Sequence, residues 1–205
     1  MTCDSPGRER ELIRRTPAST PLLSSVGGSG ARLGTNSVIT TAAKNGAASA
    51  DVLAGAVASM LRLNRVAAEV ARDSGAKGAT DISGFGFLGH AGEMVKASGA
   101  GLAIDASRLP ILPGTRELAE AGQWSGGMKR NRRYVDSSFG ADLTIAPSVP
   151  GYLASLLTES ETSGGLLFSV APDRAPSVID AFRRRGEDCW EIGSVLAEPV
   201  IRVNT

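Results

Sequence analysis

The residues from Gly78 to His90, GATDISGFGFLGH, set one carboxylate, Asp81, against a glycine-spaced turn. Two chemistries fit those residue types at that spacing. Gly84-Phe85-Gly86-Phe87-Leu88-Gly89 is a G-x-G-x-x-G string, and Asp105 follows Gly84 by 21 positions, about where a ribose-binding acid stands in a dinucleotide site. That reading makes the chain an NAD-dependent oxidoreductase and puts the work on the glycines. The other reading begins from the acid. Backbone amides at the start of a helix attract anions, and glycines let a phosphate come close. A carboxylate at that edge needs a cation between itself and the phosphate. Carboxylate oxygens suit Mg²⁺, which keeps several waters and bridges to phosphates. Asp81 beside such a turn therefore points to metal-nucleotide chemistry.

The elements that must position these residues can be read from periodicity. Phe87, Leu88, Ala91, Met94, Val95 and Ser98 follow helical spacing, so the glycines lead into a helix stopped by Gly99 and Gly101. Leu102 and Ile104 then alternate as a strand ending at Asp105. Upstream of Gly84, a dinucleotide fold requires a buried apolar strand, yet Ala76 to Ser83 contains Lys77, Gly78 and Asp81. This weakens the oxidoreductase reading. Ser37 to Thr41 is β-branched and reads as a short strand, followed by a turn at Asn45-Gly46. Ser49 or Asp51 then caps a helix reaching Ser74-Gly75, with Leu53, Val57, Met60, Leu63, Ala67 and Val70 on its core face. Lys129, Arg130, Arg132 and Arg133 around Asn131 read either as a solvated loop or as phosphate contacts. Asp173 to Arg185 reads as a helix with a basic last turn, and Cys189 to Val195 as a strand with an inert, buried thiol. His90, on a first helical turn, is expected to act as a hydrogen-bonding residue rather than a base.

Composition limits the functions available. At 205 residues, 42% hydrophobic and with a net charge of +1, the chain can bury a core and has no basic field to draw nucleic acid. No apolar run approaches the ~18 residues a membrane span requires, and the charged start lacks the apolar stretch of a secretory signal. Two cysteines, Cys3 and Cys189, and the single histidine cannot build a Cys/His zinc site or a disulfide framework. A cytoplasmic protein is the expectation. The first 33 residues mix Pro6, Pro17 and Pro21 with serines and glycines, which reads as a flexible tail carrying Cys3 as a free thiol. The folded part is expected over 34–205.

Six segments, in order, resemble one family, the selenophosphate synthetases (selenide, water dikinases). They are Gly34-Thr35 with Val38-Ile39-Thr40-Thr41-Ala42; Ala58-Ser59-Met60 with Leu63-Asn64-Arg65; Thr80 to His90; Leu109 to Gly114; Gly126-Gly127 with Arg130, Asn131 and Tyr134; and Thr162 to Leu167. The resemblance covers about 34–203 and only the second of the family's two domains. It implies an α+β fold, helices packed on a mixed β-sheet, as in the C-terminal domain of aminoimidazole ribonucleotide synthetases. It further implies an ATP-dependent dikinase that makes selenophosphate from selenide and water, releasing AMP and phosphate, with Mg²⁺ and ATP as cofactors. Asp81 matches a magnesium-ligand position, and Gly84, Gly86, Arg130 and Asn131 match nucleotide-handling ones. The family is homodimeric.

The family's reactive cysteine and its lysine belong to the first domain and have no counterpart before Gly34, so no catalytic residue is assigned here. The resemblance leads us to expect a truncated or frame-altered product, inactive alone or surviving as a non-catalytic interaction module. One further departure stands at Glu159-Ser160-Glu161, where the family has Asp-Pro-Gln. Losing the proline is expected to loosen the turn, and Glu161 to add a negative charge at a phosphate-handling edge.

Overall fold

The computed structural model describes residues 21–26, 33–34 and 37–205. One mixed sheet of seven strands organises them. The strands are β1 (Pro21–Val26), β2 (Gly78–Asp81), β3 (Gly101–Asp105), β4 (Leu143–Ile145), β5 (Leu166–Ser169), β6 (Asp188–Leu196) and β7 (Ile201–Asn204). Their spatial order is β2-β5-β1-β6-β3-β7-β4. All pairings are antiparallel except β3 with β7 and β4 with β7. The helices are α1 (Val38–Lys44), α2 (Ala50–Met60), α3 (Arg65–Asp73), α4 (Gly86–Ser98), α5 (Thr115–Glu120), α6 (Gly126–Phe139), α7 (Gly151–Leu156) and α8 (Ala175–Arg184).

Alternation along β5 divides the core. Leu167 enters the large cluster formed with α4, α6 and α7, whereas Phe168 enters a second cluster with α3 and α8. Successive strand residues point to opposite faces, so helices cover both sides of the sheet. Phe168 stacks on Phe182 of α8 at 5.9 Å between ring centroids. A third, small cluster of Ile39, Ala56 and Leu112 joins α1 to α2. This is the α+β arrangement of helices on a mixed sheet that the sequence implies.

Three elements differ from the sequence reading. Ser37 to Thr41 is not a strand: Val38 starts α1, with Val38, Ile39 and Ala42 buried on a helical face. Burial on two sides outweighs the β preference of Val, Ile and Thr, and Ala42-Ala43-Lys44 favours the helix. The long helix from Ser49 to Ser74 is broken at Leu61–Asn64 into α2 and α3. Leu61 and Leu63 stand 76% and 77% exposed, with Val57 at 41%. Between the two leucines, Arg62 turns inward to Glu187 at 3.3 Å. The helical spacing carries across a break in the backbone, so two of the six residues of the expected stripe, Val57 and Leu63, face outward. Third, Pro21–Val26 lies within the segment expected to be a tail, yet it forms a strand in the middle of the sheet, between β5 and β6. A central strand gains hydrogen bonds on both edges, which compensates for its short apolar content. Cys3 and the rest of 1–20, 27–32, Thr35 and Asn36 lie outside the described residues.

The sheet order also removes the dinucleotide reading. β2 is an edge strand, and three strands stand between it and β3. At the usual 4.8 Å between neighbouring strands, that is roughly 19 Å. Asp105 is occupied locally, accepting from Ser107 N at 3.0 Å to cap a 3₁₀ turn at Ala106–Arg108.

Candidate functional site

At the end of β2 the chain leaves the sheet edge at Asp81, whose side chain is exposed. Ile82 is tied down behind it: its N–H reaches Gly165 O at 3.0 Å, and its carbonyl accepts from Gly164 N at 3.0 Å. Ser83 closes the turn, because its carbonyl accepts from Gly86 N at 2.9 Å and from Glu161 N at 3.1 Å. Gly86 has φ +74°, and a Cβ there would lie 2.6 Å from Glu159 O. Both its left-handed backbone and its close approach to another chain segment require glycine.

The glycine turn is held from below by α6. The N-cap of α6 is Ser125, whose Oγ accepts from Gly127 N and Met128 N at 3.1 and 3.2 Å. The buried face of α6 is Asn131, Val135 and Phe139. Asn131, 3% exposed, donates from Nδ2 to Gly84 O at 2.8 Å and to Ser160 Oγ at 3.2 Å. Ser160 Oγ also donates to Gly84 O at 3.0 Å.

Beside Ser160 are two buried carboxylates. Glu159 accepts from Ser125 Oγ, from Ser125 N at 3.3 Å and from Ser160 N at 3.3 Å. An anion at the start of α6 also suits the helix dipole. Glu161, 3% exposed, accepts from Gly34 N at 2.6 Å. The Ser37 hydroxyl donates to the Ser160 carbonyl. The Glu159-Ser160-Glu161 turn is therefore tightly bonded rather than loosened. The Glu161 charge is turned onto a backbone amide instead of the open edge.

His90 and the exposed Phe85 complete the rim. His90 Nε2 is 3.0 Å from Ser83 Oγ, the hydrogen-bonding arrangement expected from sequence. Burial lowers its pKa below the usual histidine value, opposed by the charges of Asp81 and Glu93. Phe85 packs edge-on to His90 at 5.9 Å and against Tyr134 at 5.5 Å. The Tyr134 hydroxyl donates to Glu93, and that bond raises the tyrosine pKa.

The structure thus brings Asp81, Gly84, Gly86 and Asn131 to one end of the sheet and gives them different settings. Asp81 is open, while Asn131 is buried under the turn. The basic run is not a loop but the outer side of α6, where Arg132 pairs with Asp136 at 3.0 Å. Arg130 is exposed and makes no ion pair among the described residues. Among those residues no group of three His, Cys, Asp or Glu side chains could hold a metal ion. Sequence reasoning gave no site role to Ser83 or Ser125, and marked Glu159 and Ser160 only as a departure from the family's Asp-Pro-Gln. Only Ser125 carried a local signal, as a cap residue before two glycines, and it is legible only once α6 is known to be a helix. Away from the site, burial pushes the Cys189 thiol up to about 12, in keeping with an inert cysteine.

Residues 22–205 match the domain family described as AIR synthase related protein, C-terminal domain. The chain belongs to that family. Among curated relatives, this AIR synthase-related domain is 40% identical over 172 residues to a selenide, water dikinase of Pelobacter propionicus, covering 83% of this chain and 48% of that protein. It is 37% identical over 135 residues to a selenide, water dikinase of Nitratidesulfovibrio vulgaris, covering 66% and 37%. The chain spans about half the length, or less, of the curated relatives it matches. Solved structures share the fold at lower identity. Thiamine-monophosphate kinase from Stenotrophomonas maltophilia superposes with a TM-score of 0.62 at 16% identity, covering 94% of this chain and 52% of that one. A hydrogenase maturation protein HypE in complex with ATP gives 0.55 at 16%, covering 90% and 44%. No helix among the described residues is long and apolar enough to cross a membrane.

Proposed function

We propose that this domain serves a cytoplasmic selenide, water dikinase, contributing one wall of a shared Mg²⁺–ATP site. The observation that carries this reading is convergence. Four segments that resemble the dikinases, far apart in sequence, come together around the departing Glu159–Glu161 turn: Gly34, Asp81 to His90, Gly126 to Asn131, and Gly164-Gly165. The shared features of scattered segments then have one spatial explanation. The activity for which the relatives are named and the ATP complex of a protein with this fold support the same reading.

Within that reading Asp81 is a magnesium ligand. One open carboxylate fits the metal, since Mg²⁺ is commonly held by one or two carboxylates, with phosphates and waters completing its shell. When bound, the metal would neutralise phosphate charge. The remaining work belongs to the chain's own groups. Gly84, with open space where a Cβ would stand, keeps the turn free of a side chain that would block a phosphate, Gly86 lets the turn pack on the 158–159 backbone, and Arg130 stands available as a counter-charge. Asn131 acts beneath the turn, on Gly84 O, rather than on the nucleotide. Phosphoryl transfer depends on positioning and charge neutralisation, so a wall carrying one ligand contributes but does not suffice. The balance of the site would come from groups beyond the described residues.

Selenide-dependent AMP formation from ATP tests the activity. We expect none from the 205-residue chain alone, and formation only when the other domain of a dikinase is supplied. Robust turnover by the chain alone would overturn the assignment of its residues to a partial site. Binding is tested by adding MgATP to ¹⁵N-labelled chain. We expect shifts confined to residues 81–90 and 126–131, lost in Asp81→Ala when magnesium is the variable. Shifts with NADH but not MgATP would sink the proposal.

A further inference from the structure

The carbonyl of Gly84 receives two side-chain donors, Asn131 Nδ2 at 2.8 Å and Ser160 Oγ at 3.0 Å. These donors also bond to each other, Asn131 Nδ2 to Ser160 Oγ at 3.2 Å. The three groups close a small ring. A carbonyl has two lone pairs and a hydroxyl can donate once while accepting, so each partner's capacity is used in a way that fixes its direction. Asn131 must present its amide nitrogen here, because Gly84 O can only accept.

The ring is anchored at a second point. Ser160 N donates to Glu159 Oε1 at 3.3 Å, and the same buried carboxylate holds Ser125, which caps α6, the helix that carries Asn131. Ser125, Glu159, Ser160 and Asn131 thus form a continuous bracket beneath the glycine turn.

The consequence falls on the next peptide group. The bond between Gly84 and Phe85 is planar and trans, so a carbonyl drawn inward sends the Phe85 N–H the opposite way. That direction is away from Asn131 and Ser160, at a position where Gly84 and Phe85 are both exposed. We infer that Ser160 and Asn131 are positioning residues whose bracket on the Gly84 carbonyl turns the Phe85 amide toward the open edge beside Asp81, where it donates to an anionic phosphate oxygen. The inference rests on the nucleotide reading above and adds to it Ser160, which has no assigned role.

The test uses the full 205-residue chain, ¹⁵N-labelled, with Ser160→Ala and Asn131→Asp to remove a donor and Ser160→Thr to restore the hydroxyl. Amide exchange of Gly86, whose N–H closes the turn on Ser83, should rise about tenfold in the first two, the scale of one lost hydrogen bond. Exchange in β3 should stay unchanged, and Ser160→Thr should return Gly86 to wild-type rates. MgATP titration is the second arm. The Phe85 amide should shift in wild type and in Ser160→Thr, with about tenfold weaker binding in Ser160→Ala. Unchanged Gly86 exchange in Ser160→Ala, or a threonine that behaves as alanine, would overturn the bracket itself. Equal MgATP affinity in wild type and Ser160→Ala would overturn its role in presenting the amide. A wild-type chain that ignores MgATP, with Gly86 exchange still responding as described, would overturn the nucleotide reading and the phosphate contact, while the bracket holds.

Discussion

Two glycines of one motif, Gly84 and Gly86, should respond in opposite ways to the same substitution. At Gly86, φ is +74° and a Cβ would stand 2.6 Å from Glu159 O, 2.9 Å from Thr158 C and 3.0 Å from Thr158 O. Those atoms are backbone and cannot rotate aside. Gly86→Ala therefore carries about 1–2 kcal/mol for a left-handed alanine. It adds roughly 1–3 kcal/mol for pushing the 158–159 segment away, as in overpacked cores. The sum, about 2–5 kcal/mol, corresponds to a fall in Tm of roughly 4–20 °C for a domain of this size. At Gly84 nothing lies within 4 Å of the added Cβ, and its φ is not left-handed. Gly84→Ala should stay within about 1 kcal/mol of wild type, since reduced freedom of the unfolded chain offsets small losses. Thermal and urea unfolding of the three proteins, followed by circular dichroism, measure the difference. A Gly86→Ala midpoint within about 2 °C of wild type, or a Gly84→Ala protein that falls as far, would refute the argument.

Leu63 tests the break between α2 and α3. Because it is 77% exposed, Leu63→Ser should change stability by no more than about 0.5 kcal/mol, whereas fully buried Leu157→Ala should cost about 2–5 kcal/mol; equal losses in urea denaturation would restore the continuous buried stripe. His90 sets a pH dependence. Its folded pKa lies below the unfolded value near 6.5, so the unfolded chain binds more protons in acid. Stability attributable to His90 is intact above about 6.5 and declines as pH falls from there toward the folded pKa. The difference in urea midpoint between wild type and His90→Gln, measured from pH 8 to 5, should shrink on the acid side; a difference independent of pH would show that the ring is not held neutral.

The sequence was sufficient wherever a pattern is local. The helix after the glycine turn, the strand to Asp105 and the strand from about Cys189 lie where periodicity places them. The segments resembling selenide, water dikinases were also legible as ordered strings, which is why the fold class could be named from them. Asp81 could be singled out because a carboxylate beside a glycine turn has few roles.

Only the tertiary structure decided which atoms face outward. Val38 and Ile39 are β-formers that enter a helix because two clusters bury them. Leu63 keeps helical spacing yet faces outward, because the backbone breaks before α3. Glu161 reads as added charge at the edge, but it and Glu159 are both buried and turned onto donors from segments 127 and 34 positions away. Hydrogen bonds across such separations leave no periodic trace in the chain. Their partners are chosen by how the sheet edge, α6 and the turn before Gly164 pack together. Residue types and spacing therefore marked the place where chemistry could occur, and packing determined that Asp81 stands open there while Asn131 and Ser160 work from beneath.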